Sequence, residues 1–315
     1  MKDIDVLVVG EINVDLVLTG DVVPVFGQAE KVIDEATLTI GSSGAIFACG
    51  AARLGLRVAY CGLVGRDLFG RFMMDSLSAR GIDISGVRVD SSLKTGLSVI
   101  LSRVDDRAIL THLGAMEALE AGQVDRSLLR RARHLHLTSY FLQHKLQSGL
   151  PALLAEAKSL GCTVSMDTNW DPTERWAGGL SESLALVDLF LPNEQEALAI
   201  ARKSTVSEAL NTLAEIVSTV VVKLGSEGAI YQHQDRRLRQ DGFSIDVVDT
   251  TGAGDSFDAG FVYGALQGWP PAESLALACA CGALSTRAAG GTAAQATLAE
   301  AQTLREARPE NEFSG

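Results

Sequence analysis

Short β-branched and apolar runs alternate with longer helical stretches along most of the chain. Val6 to Val9, His134 to Leu137, Cys162 to Met166, Asp188 to Leu191 and Thr219 to Leu224 read as buried strands. Between them, a helix opens after the loop at Gly41 and stops at Gly55. Further helical signals cover Ser127 to Arg133, Leu150 to Leu160 (stopped by Gly161), the segment after Pro192, and Ala272 to Leu284. Strands and helices alternating at short spacing predict a central, mostly parallel sheet with helices on both faces, the α/β class. Two stretches break this rhythm. Leu16 to Ile40 has alternating pieces such as Thr37 to Ile40 and no helix signal. Gly96 to His112 alternates at Leu97, Val99 and Leu101, turns at Asp105-Asp106 and returns through Ala108 to Thr111, which is a hairpin. They predict a small β-sheet lid, about 16–40 and 96–112, inserted in a single domain spanning 1–315. A lid would cover substrate and exclude water. A sheet used for dimerisation is the alternative, and the two uses are compatible, since an open sheet edge also suits a homodimer.

The second strong pattern is Ile245 to Val248, read as a strand, then Asp249-Thr250-Thr251-Gly252-Ala253-Gly254-Asp255, then a small, apolar helix from Asp258 to Leu266. Glycines at a helix start let an anion approach first-turn amides that have no intrahelical partner, with the helix dipole favouring negative charge. An acid beside that hole fits a base that takes the proton of a hydroxyl attacking a phosphoryl group. The plain alternatives are a tight turn and a helix N-terminal acid favoured by the dipole. A dinucleotide fold would want a third glycine where Phe257 stands, and no Gly-Lys-Ser/Thr phosphate loop exists in the chain.

Composition narrows the classes. In 315 residues, 47% are apolar and only 5% aromatic, so Ala, Leu, Val and Gly build an ample core. A formal charge of −12 argues against nucleic acid and anionic membranes as partners. Five cysteines, at 49, 61, 162, 279 and 281, lack zinc or redox spacing and fit core thiols in a reducing cytoplasm. No apolar run reaches spanning length and no signal peptide is evident, which gives a cytoplasmic expectation. His134 and His136 share one side of a strand. Structural histidines are the simpler reading, a zinc site the other.

Asp249 to Phe261, DTTGAGDSFDAGF, closely resembles the C-terminal signature of the ribokinase-like (PfkB) carbohydrate kinases, and residues 4 to about 300 follow that family. Gly41-Ser42-Ser43-Gly44 with the helix to Gly55, and Val64 to Gly70, resemble its N-terminal signature. The resemblance implies a ribokinase-like fold with a lid. It implies Gly252, Ala253 and Gly254 as the anion hole and Asp255 as the catalytic base. Asn13, Asp15, Gly41, Ser42 and Asn169 would meet the sugar, as would position 46, where Ile46 replaces the usual asparagine and cannot bond a hydroxyl. Asp167, Asn169 and Pro172 match a further family segment, but Asp171 stands at its arginine position, with Arg175 nearby. Trp170 and Trp176 either stack on a sugar or pack a loop. Asn193 and Glu196 match a motif that organises magnesium through water, though Pro and acids there are also ordinary capping. Lys223, Gly225, Ser226 and Gly228 match the nucleotide turn, which is otherwise a simple hairpin, and Gly290 an adenine-side loop. Asp249 and Thr251 would hold a monovalent cation, potassium. The expected activity is ATP- and Mg2+-dependent phosphorylation of a hydroxyl on a small sugar or sugar acid. The alternatives are a nucleoside kinase, with Ile46 and the tryptophans on the base, and a non-catalytic sugar- or nucleotide-binding protein.

Overall fold

The computed structural model describes residues 2–103 and 106–307. The Asp105 end of the hairpin turn and the residues from 308 onward lie outside the described residues. The strands are β1 (Ile4–Val9), β2 (Asn13–Thr19), β3 (Glu35–Ile40), β4 (Val58–Gly65), β5 (Asp83–Asp90), β6 (Gly96–Ser102), β7 (Arg107–His112), β8 (Ala132–Thr138), β9 (Thr163–Asp167), β10 (Leu189–Phe190), β11 (Thr219–Lys223), β12 (Ala229–His233) and β13 (Arg236–Gln240). The helices are α1 (Ser43–Arg53), α2 (Leu68–Ser78), α3 (Arg126–Arg131), α4 (His144–Gln147), α5 (Leu150–Ser159), α6 (Leu180–Leu184), α7 (Glu194–Ala201), α8 (Val206–Ala214), α9 (Ala253–Leu266), α10 (Pro271–Ser285) and α11 (Leu298–Glu306).

Nine strands form the main sheet in the order β13-β12-β11-β10-β9-β8-β1-β4-β5. All pairs are parallel except the antiparallel β11–β12–β13 edge. Alternation splits β1 between two cores. Leu7 and Val9 join the layer that includes α3, α5 and α8, while Val6 and Val8 join the layer that includes α1, α9 and α10. The strand order reverses between β1 and β8, so a crevice opens past their C-terminal ends, where such sheets take ligands.

The second sheet has four strands, in the order β3-β2-β6-β7. Its registers set two rows across all four strands. Thr39, Asp15, Ser98 and Thr111 share one face, and Leu38, Leu16, Val99 and Leu110 share the other. Asp15 therefore sits within a strand of this small sheet, not in a turn after β1.

One expected strand is absent. Ile245 to Val248 pairs with no strand. It runs past the end of α10, where the amides of Val248 and Asp249 both donate to the Thr286 carbonyl, at 2.8 and 3.1 Å. Its β-branched residues suit an extended chain, but it joins neither sheet, and Val247 and Val248 stay exposed. The helix expected at Ser127 to Arg133 also ends earlier, because Ala132 and Arg133 are drawn into β8 beside β1.

α9 lies tight against α10. A β-carbon on Gly260 would stand 2.9 Å from Ala278 Cα, and one on Gly264 2.8 Å from Ser274 Cβ. Gly264→Leu should force the helices apart and cost about 1–3 kcal/mol, the usual penalty of overpacking, read as a lowered midpoint in urea unfolding.

Candidate active site

The crevice is organised by Glu11, just past β1 and almost fully buried. Its carboxylate accepts from the Ser43 amide (3.0 Å), the Ser139 hydroxyl (2.9 Å) and the Thr138 hydroxyl (3.1 Å). Its carbonyl accepts from Ser42 Oγ at 2.6 Å and Tyr60 OH at 2.7 Å. One residue thus ties the start of α1 to the end of β8. Burial pushes its carboxyl up, while the Ser139 and Thr138 bonds pull it down. Ser139 also accepts from Asn169 Nδ2 at 2.9 Å. Both residues hold left-handed backbone, φ 50 and 51, unusual for non-glycine residues and a mark of a locally constrained site.

Asn13 and Asp15 come together, Asn13 Nδ2 donating to Asp15 Oδ1 at 3.0 Å, directly against the Gly41 backbone where a side chain would clash. Ser98 and Thr111 extend this polar row. Ser42 differs from expectation. Its hydroxyl caps α1 by accepting from the Ala45 amide and donates to Glu11, so it is spent on structure. Ile46 is buried, and its methyl groups fill the space that side chains at 252 and 291 would need, 2.8 Å from a β-carbon on Gly252. It braces the turn.

Gly252, with φ 72, is the N-cap of α9 and has no side chain to cap the helix. The Ala253 amide donates to the Thr250 carbonyl at 3.2 Å, which leaves the Gly254 amide open in the first turn, with Asp255 beside it. Asp255 is buried and hydrogen-bonded by the Ser43 side chain. Burial and then Asp167 push its carboxyl well above the usual carboxylate range, against the opposing charge of Lys223.

A cavity of about 230 Å³ lies between this turn and the β11–β12 hairpin. Gly225, Ser226 and Gly228 line it on one side, Ala253 and Gly254 on another, and Val247, Phe257 and Ala283 give it an apolar wall. Two expected nucleotide residues stand apart. Gly290 does not line the cavity, and its amide donates to Asp249 Oδ2 at 2.8 Å. Lys223 borders the cavity, but its ammonium turns to Asp167 (2.7 Å) and Asp258 (3.1 Å). Asn193 and Glu196 form a reciprocal cap at the start of α7, each side chain accepting the other's amide at 2.9 Å. Burial and Asp167 push Glu196 up to about 7.

Asp249 is a loop fastener. Oδ1 takes the Thr251 amide and hydroxyl, Oδ2 the Gly290 amide, and Thr251 Oγ1 also accepts from Arg107 at 3.0 Å. Asp249 and Thr251 are thus tied to each other, to Gly290 and to Arg107. Arg107, from β7, is a residue the sequence reading missed. It carries positive charge from the small sheet to the turn before Gly252, and its field also lowers Asp15 and Asp249. Asp171 folds into its own loop, accepting from Thr173, Arg175 and Trp176 amides, and Arg175 is exposed. Trp170 and Trp176 pack edge to face at 5.0 Å, the loop-packing alternative. His134 and His136 both bond Ser165 Oγ, at 2.6 and 2.7 Å, as parts of the core. Among the described residues no group of three or more His, Cys, Asp or Glu side chains converges as a metal cage.

The family model for pfkB family carbohydrate kinases matches residues 3–298. The chain belongs to that family, whose members are sugar kinases, phosphotransferases acting on an alcohol group. It is 32% identical over 304 residues to an ATP-dependent ribose-1-phosphate kinase of Halopiger xanaduensis, covering 96% of this chain and 98% of the relative. It is 33% identical over 222 residues to a sugar kinase of Archaeoglobus fulgidus, covering 70% and 87%. Among solved structures, a ribokinase II of E. coli in complex with ATP and Mg2+ superimposes with a TM-score of 0.86 at 27% identity, over 96% of this chain and 99% of that one. The ribokinase-like fold, with its small second sheet, follows from these matches.

Burial pushes the Asp15 carboxyl up to about 7, although its bond from Asn13 pulls the other way. An unfolded aspartate ionises near pH 4, so stability from this residue is full below that point and is lost as pH rises towards 7. Asp15→Asn removes the loss. Between pH 5 and 8, urea unfolding should show the variant gaining about 2–3 kcal/mol on wild type.

Proposed function

We propose that this sugar kinase transfers the γ-phosphoryl group of ATP to a hydroxyl of a small neutral polyol, with Asp255 as general base. The observation that carries the reading is the buried Asp255 in the first turn of α9, beside the open amides of Gly252 and Gly254 and held by Ser43. The hydroxyl oxygen forms a bond to the γ-phosphorus, its proton passes to the Asp255 carboxylate, and the bond to the β–γ bridging oxygen breaks to release ADP. The amides of Gly252 and Gly254 take up the charge that develops on the phosphoryl oxygens. The apolar wall at Val247, Phe257 and Ala283 suits a flat heterocycle, and Gly225, Ser226 and Gly228 its sugar side. Magnesium would be served by ATP phosphates and water, with Glu196 and Asn193 behind the water. That fits a site without a dedicated protein cage, since magnesium keeps much of its hydration, and its chemistry when bound is to neutralise phosphate charge. Arg107 closes the small sheet over the turn, giving that sheet the work of a lid.

A neutral acceptor is favoured because the sugar end carries Asn13, Asp15, Ser98 and Asn169, while Asp171 and Arg175 build no carboxylate pocket. Arg107 favours one second reading, a sugar phosphate like the substrate named for the Halopiger relative. ADP release should be measured with ribose, fructose, glucose, 2-keto-3-deoxygluconate, ribose 1-phosphate and adenosine. Stimulation by a neutral sugar supports the first reading, and stimulation by ribose 1-phosphate alone replaces it. Asp255→Asn should keep ATP binding and lose turnover by about 10² to 10⁴-fold; unchanged turnover would remove Asp255 from the mechanism.

The apolar row on the outer face, Leu38, Leu16, Val99 and Leu110, fits a second copy of the chain packed lid to lid. Leu110 is 62% exposed in the single chain. Leu110→Glu should halve the mass seen by light scattering, and a wild type that is already monomeric would refute the pairing.

A further inference from the structure

Lys223 ends β11, and its side chain is almost fully buried. Its ammonium lies 2.7 Å from Asp167 Oδ2 and 3.2 and 3.1 Å from the two oxygens of Asp258. Three elements meet at this one charge, and each leads into a different part of the site. Asp167 closes β9, and its other oxygen accepts the Asn169 amide at 2.9 Å, fastening the loop that reaches Ser139. Lys223 runs straight into the Gly225–Gly228 turn at the cavity. Asp258 lies one turn after Asp255, on the same side of α9. A β-carbon on Gly254 would stand 3.4 Å from Lys223 Nζ, so the charge sits directly behind the anion-binding turn.

The other charged groups facing this point are Asp255 and Glu196, both acids and both buried. Two carboxylates thus bond this ammonium directly, and two more lie within its field. Its hydrogen-bonding capacity is spent on Asp167 and Asp258, leaving none aimed at a nucleotide.

We propose that Lys223 is a positioning residue for phosphoryl transfer, a buried counter-ion that locks the first turns of α9 to the ends of β9 and β11 and balances the charge beside Asp255, without touching ATP or the sugar. This rests on the reading of Asp255 as the base. An uncompensated acid cluster in a dry site would displace the turn and resist the ionised base.

The test is Lys223→Met in the full chain, assayed with ATP, magnesium and the panel compound that gives the highest wild-type turnover, alongside binding of the fluorescent nucleotide mant-ADP. kcat should fall about 100-fold or more, with KM for ATP and mant-ADP affinity within about threefold of wild type. A rise in KM for ATP of about tenfold with kcat nearly unchanged would overturn the proposal in favour of a nucleotide contact. Lys223→Met/Asp258→Asn removes the unpaired acid with its partner and guards against a folding failure. A folded double variant with kcat still depressed supports the proposal, and recovery to within about threefold of wild type overturns it. Asp255→Asn in the same assay separates the two readings. Loss there with a fully active Lys223→Met defeats only the positioning role, whereas activity in Asp255→Asn defeats the base assignment itself.

Discussion

Charge buried without water is the constraint on which the rest of this site depends. Asp167, Asp255, Asp258 and Glu196 are all buried, and Lys223 is the cation paired directly with Asp167 and Asp258. Such groups are tolerated only when paired and hydrogen-bonded, because desolvation costs several kcal/mol per ion. Pairing fixes where the carriers can stand. The ends of β9 and β11 cannot drift from α9 without exposing an unmatched charge in the core. The close approach of α9 to α10 at Gly260 and Gly264 holds the same helix from its other side. The turn at Gly252 to Gly254 is therefore rigid for reasons that lie outside the turn.

The small sheet solves a different problem with the period of two. Its strands put Thr39, Asp15, Ser98 and Thr111 in one row and Leu38, Leu16, Val99 and Leu110 in the next. A slip of one residue in register would exchange the two faces and turn leucine to the polar side. The Asn13–Ser98 bond and the Ser98–Thr111 bond cross between strands on the polar side and work against that slip.

The sequence made the architecture legible wherever the signal is local. β1, β8, β9 and β11 follow from apolar runs, and the hairpin of β6 and β7 follows from alternation. The family match over residues 3–298 agrees with the resemblance read from the glycine turn. Ile245 to Val248 misled because a β-branched run says only that the chain is extended, and a strand also needs a neighbour. The side-chain wiring was less legible. Lys223 reads as part of the nucleotide turn, yet the partners of its ammonium lie 56 and 35 residues away. Glu11 stands out in no local pattern; only its place two residues past a fully buried strand hints at a buried carboxylate. Asp258 left a similar trace, as an acid inside an otherwise small and apolar helix. Ile46 could be named as a departure from a family pattern, but only packing shows that it points under the turn.

That last contact makes positions 46, 252 and 291 a single steric unit, two of them empty so that the third can be full. A polar residue at 46 would leave a void behind the anion-binding turn, and any side chain at 252 or 291 would collide with the isoleucine. Diversifying this pocket one codon at a time therefore samples mostly broken proteins. A route towards other acceptor chemistry runs through coupled changes at all three positions, and libraries that vary them together are the ones in which viable alternatives can be reached.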